Sequence, residues 1–121
     1  MRILYILLVA LVLQTGCSEE KVADMPITEF EQEMLKTGIL VDVRTAEEFE
    51  AGHLENAKNI DWYNPEFADQ FKDFGKEETI YVYCKMGGRS AKAKEKLKLM
   101  GYTHVVNLEG GYEAFKQKKQ K

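Results

Sequence analysis

Short apolar runs alternate with amphipathic stretches along most of this chain. Ile39-Leu40-Val41-Asp42-Val43, Ala57 to Ile60, Ile80 to Tyr83 and Val105-Val106-Asn107-Leu108 have the length and side chains of buried strands. Helix signals fall between them. Thr28-Glu29-Phe30-Glu31 matches a capping box and predicts a helix to about Lys36, stopped by Gly38. Thr45-Ala46-Glu47-Glu48 is a second box, opening a short helix that ends at Gly52. Phe67 and Phe71, four apart, predict a helix over 65–71. Ser90 to Met100 is the clearest helix, with Ala93, Leu97 and Met100 on one face, lysines on the other and Gly101 as its C-cap. Gly110-Gly111 then forms a turn, and Tyr112 to Lys118 a closing helix. Short apolar strands alternating with helices predict an α/β fold, its mostly parallel sheet covered on both faces.

The pattern is different at the N-terminus. Met1-Arg2 is a short positive start, and Ile3 to Leu13 is an unbroken apolar run. Eleven residues are too few to span a bilayer, which takes about 20, but they suit the hydrophobic region of a secretory signal. Gly16-Cys17 resembles the end of a bacterial lipobox, although Gln14 stands where an apolar residue is usual. The expected organisation is a signal peptide over 1–16, a lipid-bearing Cys17 with a polar tether over 17–26, and one domain over 27–121. A lipid on Cys17 implies the bacterial cell envelope, on the periplasmic face or the cell surface, with the membrane as a partner.

Composition narrows the possibilities. The 121 residues fit one domain. A net charge of −3 lacks the basic excess of a nucleic-acid binder. Lys116, Lys118, Lys119 and Lys121 read as a solvated tail. Only two cysteines are present, Cys17 and Cys84. If Cys17 carries lipid, Cys84 has no disulfide partner within the chain. A lone thiol in an envelope protein is better explained by reactivity than by packing.

The candidate chemistry is concentrated in Cys84-Lys85-Met86-Gly87-Gly88-Arg89-Ser90, between an apolar strand and a helix. In parallel sheets, ligands bind beyond the C-terminal ends of strands, where both Cys84 and Asp42-Val43-Arg44 fall. Backbone N–H groups at a helix N-terminus, aided by the helix dipole, favour an anion, and so favour the thiolate. Lys85 and Arg89 add positive charge. His53, His104 and Cys84 have no metal-ligand spacing, so no metal is expected.

Four blocks together resemble a single-domain rhodanese, a sulfurtransferase: Val41-Asp42-Val43-Arg44, then Glu48 to Ala57, then the Cys84 loop, then Leu108-Glu109-Gly110-Gly111-Tyr112. Their order and spacing match over about residues 27–117. The resemblance implies a three-layer fold, a central sheet flanked by helices, and a cysteine that cycles through a persulfide. It implies thiosulfate or another sulfane-sulfur donor, a thiol or cyanide as acceptor, and no cofactor. Carried over residue by residue, Cys84 is the nucleophile. Lys85, Met86, Gly87, Gly88 and Arg89 form the anion-binding loop, with Arg89 able to fold inward or to hold the donor's anionic end. Asp42, Arg44, Glu48 and His53 fall on positions that hold the scaffold together.

Some details come from the residues alone. Arg44 and Glu48 are expected to pair across the strand–helix turn, and His53 to make a structural hydrogen bond. Trp62, Tyr63 and Phe67 read as core packing rather than as a wall of the cleft. Two other functions use similar parts. A cysteine-dependent phosphatase or arsenate reductase needs five residues between cysteine and arginine, whereas four intervene here. A rhodanese-like domain can also act as a non-catalytic binding or redox module, but binding modules have often lost the cysteine that this chain keeps.

Overall fold

β-Branched and aromatic runs build a sheet whose three inner strands are buried on both faces. The structure is a computed structural model and describes residues 20–120. Its strands are β1 (Lys21–Pro26), β2 (Gly38–Asp42), β3 (Lys58–Asn59), β4 (Thr79–Tyr83) and β5 (His104–Glu109). They lie in the order β1-β5-β4-β2-β3, and every neighbouring pair is parallel. Among the described residues three α-helices accompany them: α1 (Ala46–Ala51), α2 (Gly88–Leu99) and α3 (Gly111–Lys119).

Side chains alternate across a strand, so each inner strand feeds two cores. Val41, Val43, Ile80, Val82, Cys84 and Val105 meet Ala93 and Leu97 of α2 on one face. Leu40, Tyr83, Val106 and Leu108 meet Ile27, Phe30 and Leu54 on the other, with Tyr112 and Phe115 of α3 packed alongside. This is the expected α/β architecture, a central parallel sheet flanked by helices.

Three local expectations are corrected. Lys21–Pro26 belongs to the sheet rather than to a tether, pairing with β5 from Lys21↔His104 to Pro26↔Glu109. Thr28 caps no helix. The segment forms two 3-10 turns, Ile27–Glu29 and Gln32–Lys36, with Phe30 extended between them. The break lets Ile27 and Phe30 both enter the second core. Over 65–71 only Ala68–Phe71 is helical, as a 3-10 turn, because Phe67 and Phe71 both pack into the first core. The Tyr102 hydroxyl donates to the Phe71 carbonyl and fixes that turn.

The Thr45 capping box forms as expected, with the Glu48 N–H donating to Thr45 Oγ1 and the Thr45 N–H to Glu48 Oε1. Helix α2 begins at Gly88, and Gly101, the residue after its cap Met100, has φ +97°. The expected signal segment 1–16 and the expected lipid site Cys17 lie outside the described residues. Among the described residues, no helix is long and apolar enough to cross a membrane.

Candidate active site

Strand β4 delivers Cys84 to the carboxyl edge of the sheet, and the chain turns at once into α2. Gly87 makes the turn with φ +120°, a conformation that L side chains rarely adopt. The loop therefore curls around the cysteine instead of leading away from it. Cys84 is 1% exposed. Its Sγ accepts a hydrogen bond from the Gly87 N–H at 3.1 Å and lies 3.3 Å from the Ser90 hydroxyl. The same hydroxyl lies 3.3 Å from the Gly87 carbonyl, so its one hydrogen serves either acceptor. Burial pushes the Cys84 thiol up, but hydrogen bonds from the Ser90 hydroxyl and from the N–H groups of Ser90, Gly87 and Met86 outweigh it. The thiol is held below its ordinary value.

The loop is fastened from below by α3. The Tyr112 N–H donates to the Cys84 carbonyl at 2.8 Å and the Glu113 N–H to the Lys85 carbonyl at 3.1 Å. Both donors belong to the first turn of α3, where N–H groups have no partner within the helix. The loop carbonyls thus cap α3 while α3 positions the loop. Gly111 makes this approach possible: a Cβ there would sit 2.5 Å from both carbonyl oxygens. The Gly110-Gly111-Tyr112 block is thereby explained by contact with the cysteine loop.

A buried ion pair supports the other side. The Arg44 guanidinium donates through Nη2 to Asp42 Oδ2 at 2.7 Å and through Nε to Asp42 Oδ1 at 3.0 Å. Its Nη2 also reaches the Gly52 carbonyl at 2.7 Å, and the guanidinium lies 4.4 Å from the Tyr112 ring centroid. Asn59 Nδ2 donates to the carbonyls of Asp42 and Arg44. This cluster locks the end of β2 to α1 and to α3.

Arg44 does not pair with Glu48, because Asp42, two residues away, takes its guanidinium in the interior. Glu48 pairs with Arg89 instead, at 2.7 and 3.0 Å, tying α1 to the first turn of α2. The Arg89 guanidinium, with help from the Thr45 hydrogen bonds, holds the Glu48 carboxyl at about 2 against the opposing effect of burial. Arg89 is thus engaged by Glu48 and is not folded onto the sulfur. Lys85 and Met86 are exposed at the mouth, Met86 at 73%.

The His53 Nδ1–H donates to the Phe49 carbonyl at 2.7 Å, and its ring stacks on Phe49 at 3.6 Å, a structural arrangement. Phe67 is buried and Trp62 packs edge-on against it, as core residues. Tyr63 is not core. It is 67% exposed, and its ring lies 5.8 Å from the Arg89 guanidinium. The sequence reading gave no role at the site to Asn59, and none to Ser90 or Tyr112 although both lie in its blocks. Only Ser90 carried a signal, as a hydroxyl six residues beyond the cysteine in the first turn of the following helix.

A buried thiol in a ring of N–H and O–H donors, at the carboxyl edge of a parallel sheet, defines an α/β protein with a cysteine-centred anion cradle. Comparison with known proteins gives the family. The model of the rhodanese-like domain matches residues 27–118, and the chain belongs to that family. It is 40% identical over 85 residues to thiosulfate sulfurtransferase 16 of Arabidopsis thaliana, covering 62% of this chain and 71% of that protein. It is 40% identical over 72 residues to the thiosulfate sulfurtransferase PspE of Escherichia coli, covering 58% and 67%. A crystal structure of a rhodanese-like domain protein from Staphylococcus aureus superimposes with a TM-score of 0.66 at 36% identity, covering 76% of this chain and 89% of that one. Other relatives are longer, and the match spans half of one and a fifth of another. The family's sulfurtransferases are thus homologues of this chain.

Proposed function

We propose that the protein is a sulfurtransferase that carries sulfane sulfur on Cys84. The thiolate attacks the outer sulfur of thiosulfate. The Cys84 S–S bond forms as the thiosulfate S–S bond breaks, and sulfite leaves with the electron pair. A cyanide or thiolate acceptor then takes the outer sulfur and returns the electron pair to Cys84. The observation that carries this reading is the lowered Cys84 thiol inside its donor ring. Free cysteine titrates near 8.5, so a nucleophile working at neutral pH needs such stabilisation. The N–H groups that favour the thiolate also suit an anionic donor and the charge that develops on it. Homology to proteins named thiosulfate sulfurtransferases favours thiosulfate as the donor.

Mass spectrometry of protein incubated with thiosulfate is expected to find one added sulfur on Cys84, removable by cyanide as thiocyanate. Cys84→Ser is expected to abolish turnover and to keep the fold. An unmodified Cys84 with no thiocyanate would overturn the proposal.

A lipid anchor on Cys17, with the domain held at the bacterial envelope, belongs to the same proposal. Its support is the apolar run Ile3 to Leu13 followed by Gly16-Cys17. Cys17→Ala is expected to release the protein from membranes, and an unchanged distribution would refute the anchor.

A further inference from the structure

The cations fixed around the cysteine loop already have carboxylates. Arg44 is paired with Asp42 at 2.7 Å, Arg89 with Glu48 at 2.7 Å and Lys116 with Glu113 at 3.1 Å. Lys85 is exposed at the mouth. Arg89 is the one placed to act on an anion at the sulfur. It directly precedes Ser90, whose hydroxyl lies 3.3 Å from Cys84 Sγ. Glu48 first, and the Cys84 thiolate to a smaller extent, raise the Arg89 guanidinium against the effect of burial, so its charge lies within electrostatic reach of the sulfur.

Glu48 is itself held in place. Its Oε1 accepts from the Thr45 N–H and the Thr45 hydroxyl, both at 3.1 Å. Its two oxygens then take Arg89 Nη1 and Nη2 in a bidentate pair that fixes the guanidinium. The two side chains are 18% and 28% exposed, so water screens the pair only in part. Arg89 therefore brings little net charge to the mouth, and Glu48 puts a fixed negative charge beside it. This arrangement decides how much negative charge a sulfur donor can carry. A dianion such as thiosulfate calls for a compensating cation, and Arg89 is occupied. A monoanionic donor is served by the N–H groups of the loop alone.

We propose that Glu48 sets the donor class: by holding Arg89 it steers the loading of Cys84 toward monoanionic sulfane-sulfur donors and away from the dianion thiosulfate. The inference rests on the persulfide reading above and refines its donor. Thiosulfate still loads Cys84, but more slowly than a free Arg89 would allow. With a thiosulfonate monoanion the Cys84 thiolate attacks the outer sulfur. A new S–S bond forms to Sγ, the bond from the outer sulfur to the sulfonyl sulfur breaks, and a sulfinate leaves with the electron pair. No oxidant or reductant is consumed. Glu48 touches no reacting atom and acts only through Arg89 and through its own charge, as a positioning residue.

The test is single-turnover loading by thiosulfate and by the methanethiosulfonate anion, at low ionic strength. The two donors present the same terminal sulfur and differ by one negative charge. Glutamine also completes a capping box, so Glu48→Gln removes the charge and leaves Thr45 partnered. It should raise the ratio of thiosulfate to methanethiosulfonate rates about tenfold, the effect of one unit charge about 7 Å away in a partly solvated site. Glu48→Asp keeps the charge and should keep the ratio near that of the wild type. High salt should shrink the difference between wild type and Glu48→Gln. A purely structural role would change both rates alike and leave their ratio unmoved. An unchanged ratio in Glu48→Gln, or a Glu48→Asp ratio as high as that of Glu48→Gln, would overturn the proposal.

A second measurement needs no sulfur donor. Alkylation of the reduced protein by anionic iodoacetate, relative to neutral iodoacetamide, should rise severalfold in Glu48→Gln. If neither donor loads Cys84, the persulfide reading fails, and this ratio still decides the role of Glu48. An iodoacetate-to-iodoacetamide ratio equal to that of the wild type would overturn it.

Discussion

Replacing Gly111 by alanine tests whether α3 really positions the cysteine loop. Gly111 has φ +61°, so any side chain there meets the left-handed penalty, about 1–2 kcal/mol. Alanine recovers about 0.4–1 kcal/mol of that by restricting the unfolded chain. The larger effect is steric. The new Cβ would lie 2.5 Å from the carbonyl oxygens of Cys84 and Lys85 and 2.6 Å from the Lys85 carbonyl carbon. These are backbone atoms, so no rotamer change relieves the clash and the loop must separate from α3. Separation weakens the hydrogen bonds from Tyr112 N–H and Glu113 N–H, each worth about 1 kcal/mol. The expected loss is about 2–4 kcal/mol, a large part of the roughly 5–15 kcal/mol that holds a domain together. Urea and thermal denaturation measure it, and a Tm drop of at least about 10 °C is expected. Cys84 alkylation at neutral pH should slow in parallel, because the Gly87 and Ser90 donors move with the loop. A Gly111→Ala protein within about 0.5 kcal/mol of wild type, with normal alkylation, would refute the reasoning.

Two further predictions concern the charges around the loop. Ser90→Ala removes one donor to Cys84 Sγ, so the pH midpoint of iodoacetamide alkylation should move upward. An unmoved midpoint would mean that the backbone N–H groups suffice. Glu48→Gln weakens the tie between α1 and α2 and should cost about 1 kcal/mol at pH 7, given solvent screening of this half-buried pair. Because Glu48 is depressed from 4.5 to about 2, its contribution is present above about pH 4.5 and is lost as pH falls toward 2. Urea midpoints of wild type and variant should therefore differ at neutral pH and converge near pH 2, and a gap that persists would contradict the pairing.

The inner strands and the cysteine turn were legible because their signals are local. Ile39 to Val43, Ile80 to Tyr83 and Val105 to Leu108 carry apolar residues on both faces, interrupted only by the buried Asp42 and Asn107, as suits doubly covered strands. The Thr45 box needed nothing beyond its own four residues. The Thr28 box has the same pattern but fails because Ile27 and Phe30 enter the core together, a tertiary demand that outweighs the capping signal. Strand β1 was hidden because it is an edge strand. Its residues are at most half-buried, and it is held by backbone bonds to β5, about 83 residues away. The polar partners were hidden for a similar reason. The four-residue spacing of Arg44 and Glu48 suggests a pair, yet the guanidinium turns back to Asp42, and Glu48 finds Arg89 at a separation of 41 residues. Sequence spacing shows which charges could meet on one helix, but not which ones the packing of three elements brings together.

That exchange of partners changes the account of how the thiol is activated. The sequence points to backbone dipoles, with Lys85 and Arg89 adding positive charge, and in the structure the hydrogen-bonding dipoles carry most of that role. Arg89 is paired with Glu48, whose carboxyl at about 2 keeps the pair ionised through the neutral range, and its charge reaches Cys84 only as a secondary contribution. Lys85 points into solvent, where its charge is screened within about 8–10 Å. The Gly87, Met86 and Ser90 N–H groups and the Ser90 hydroxyl remain, at short range and fixed by the fold. Fixed dipoles stabilise an anion without adding a second mobile ion to the site, and in the proposed transfer they need no reorganisation when charge moves from one sulfur to the next. They also depend on loop geometry to a degree that a lysine's long-range charge would not. This dependence explains why so much of the sequence around the loop (Asp42-Val43-Arg44, Glu48, Gly110-Gly111-Tyr112) touches the scaffold rather than the sulfur: the lowering of the Cys84 thiol resides in the shape these residues maintain.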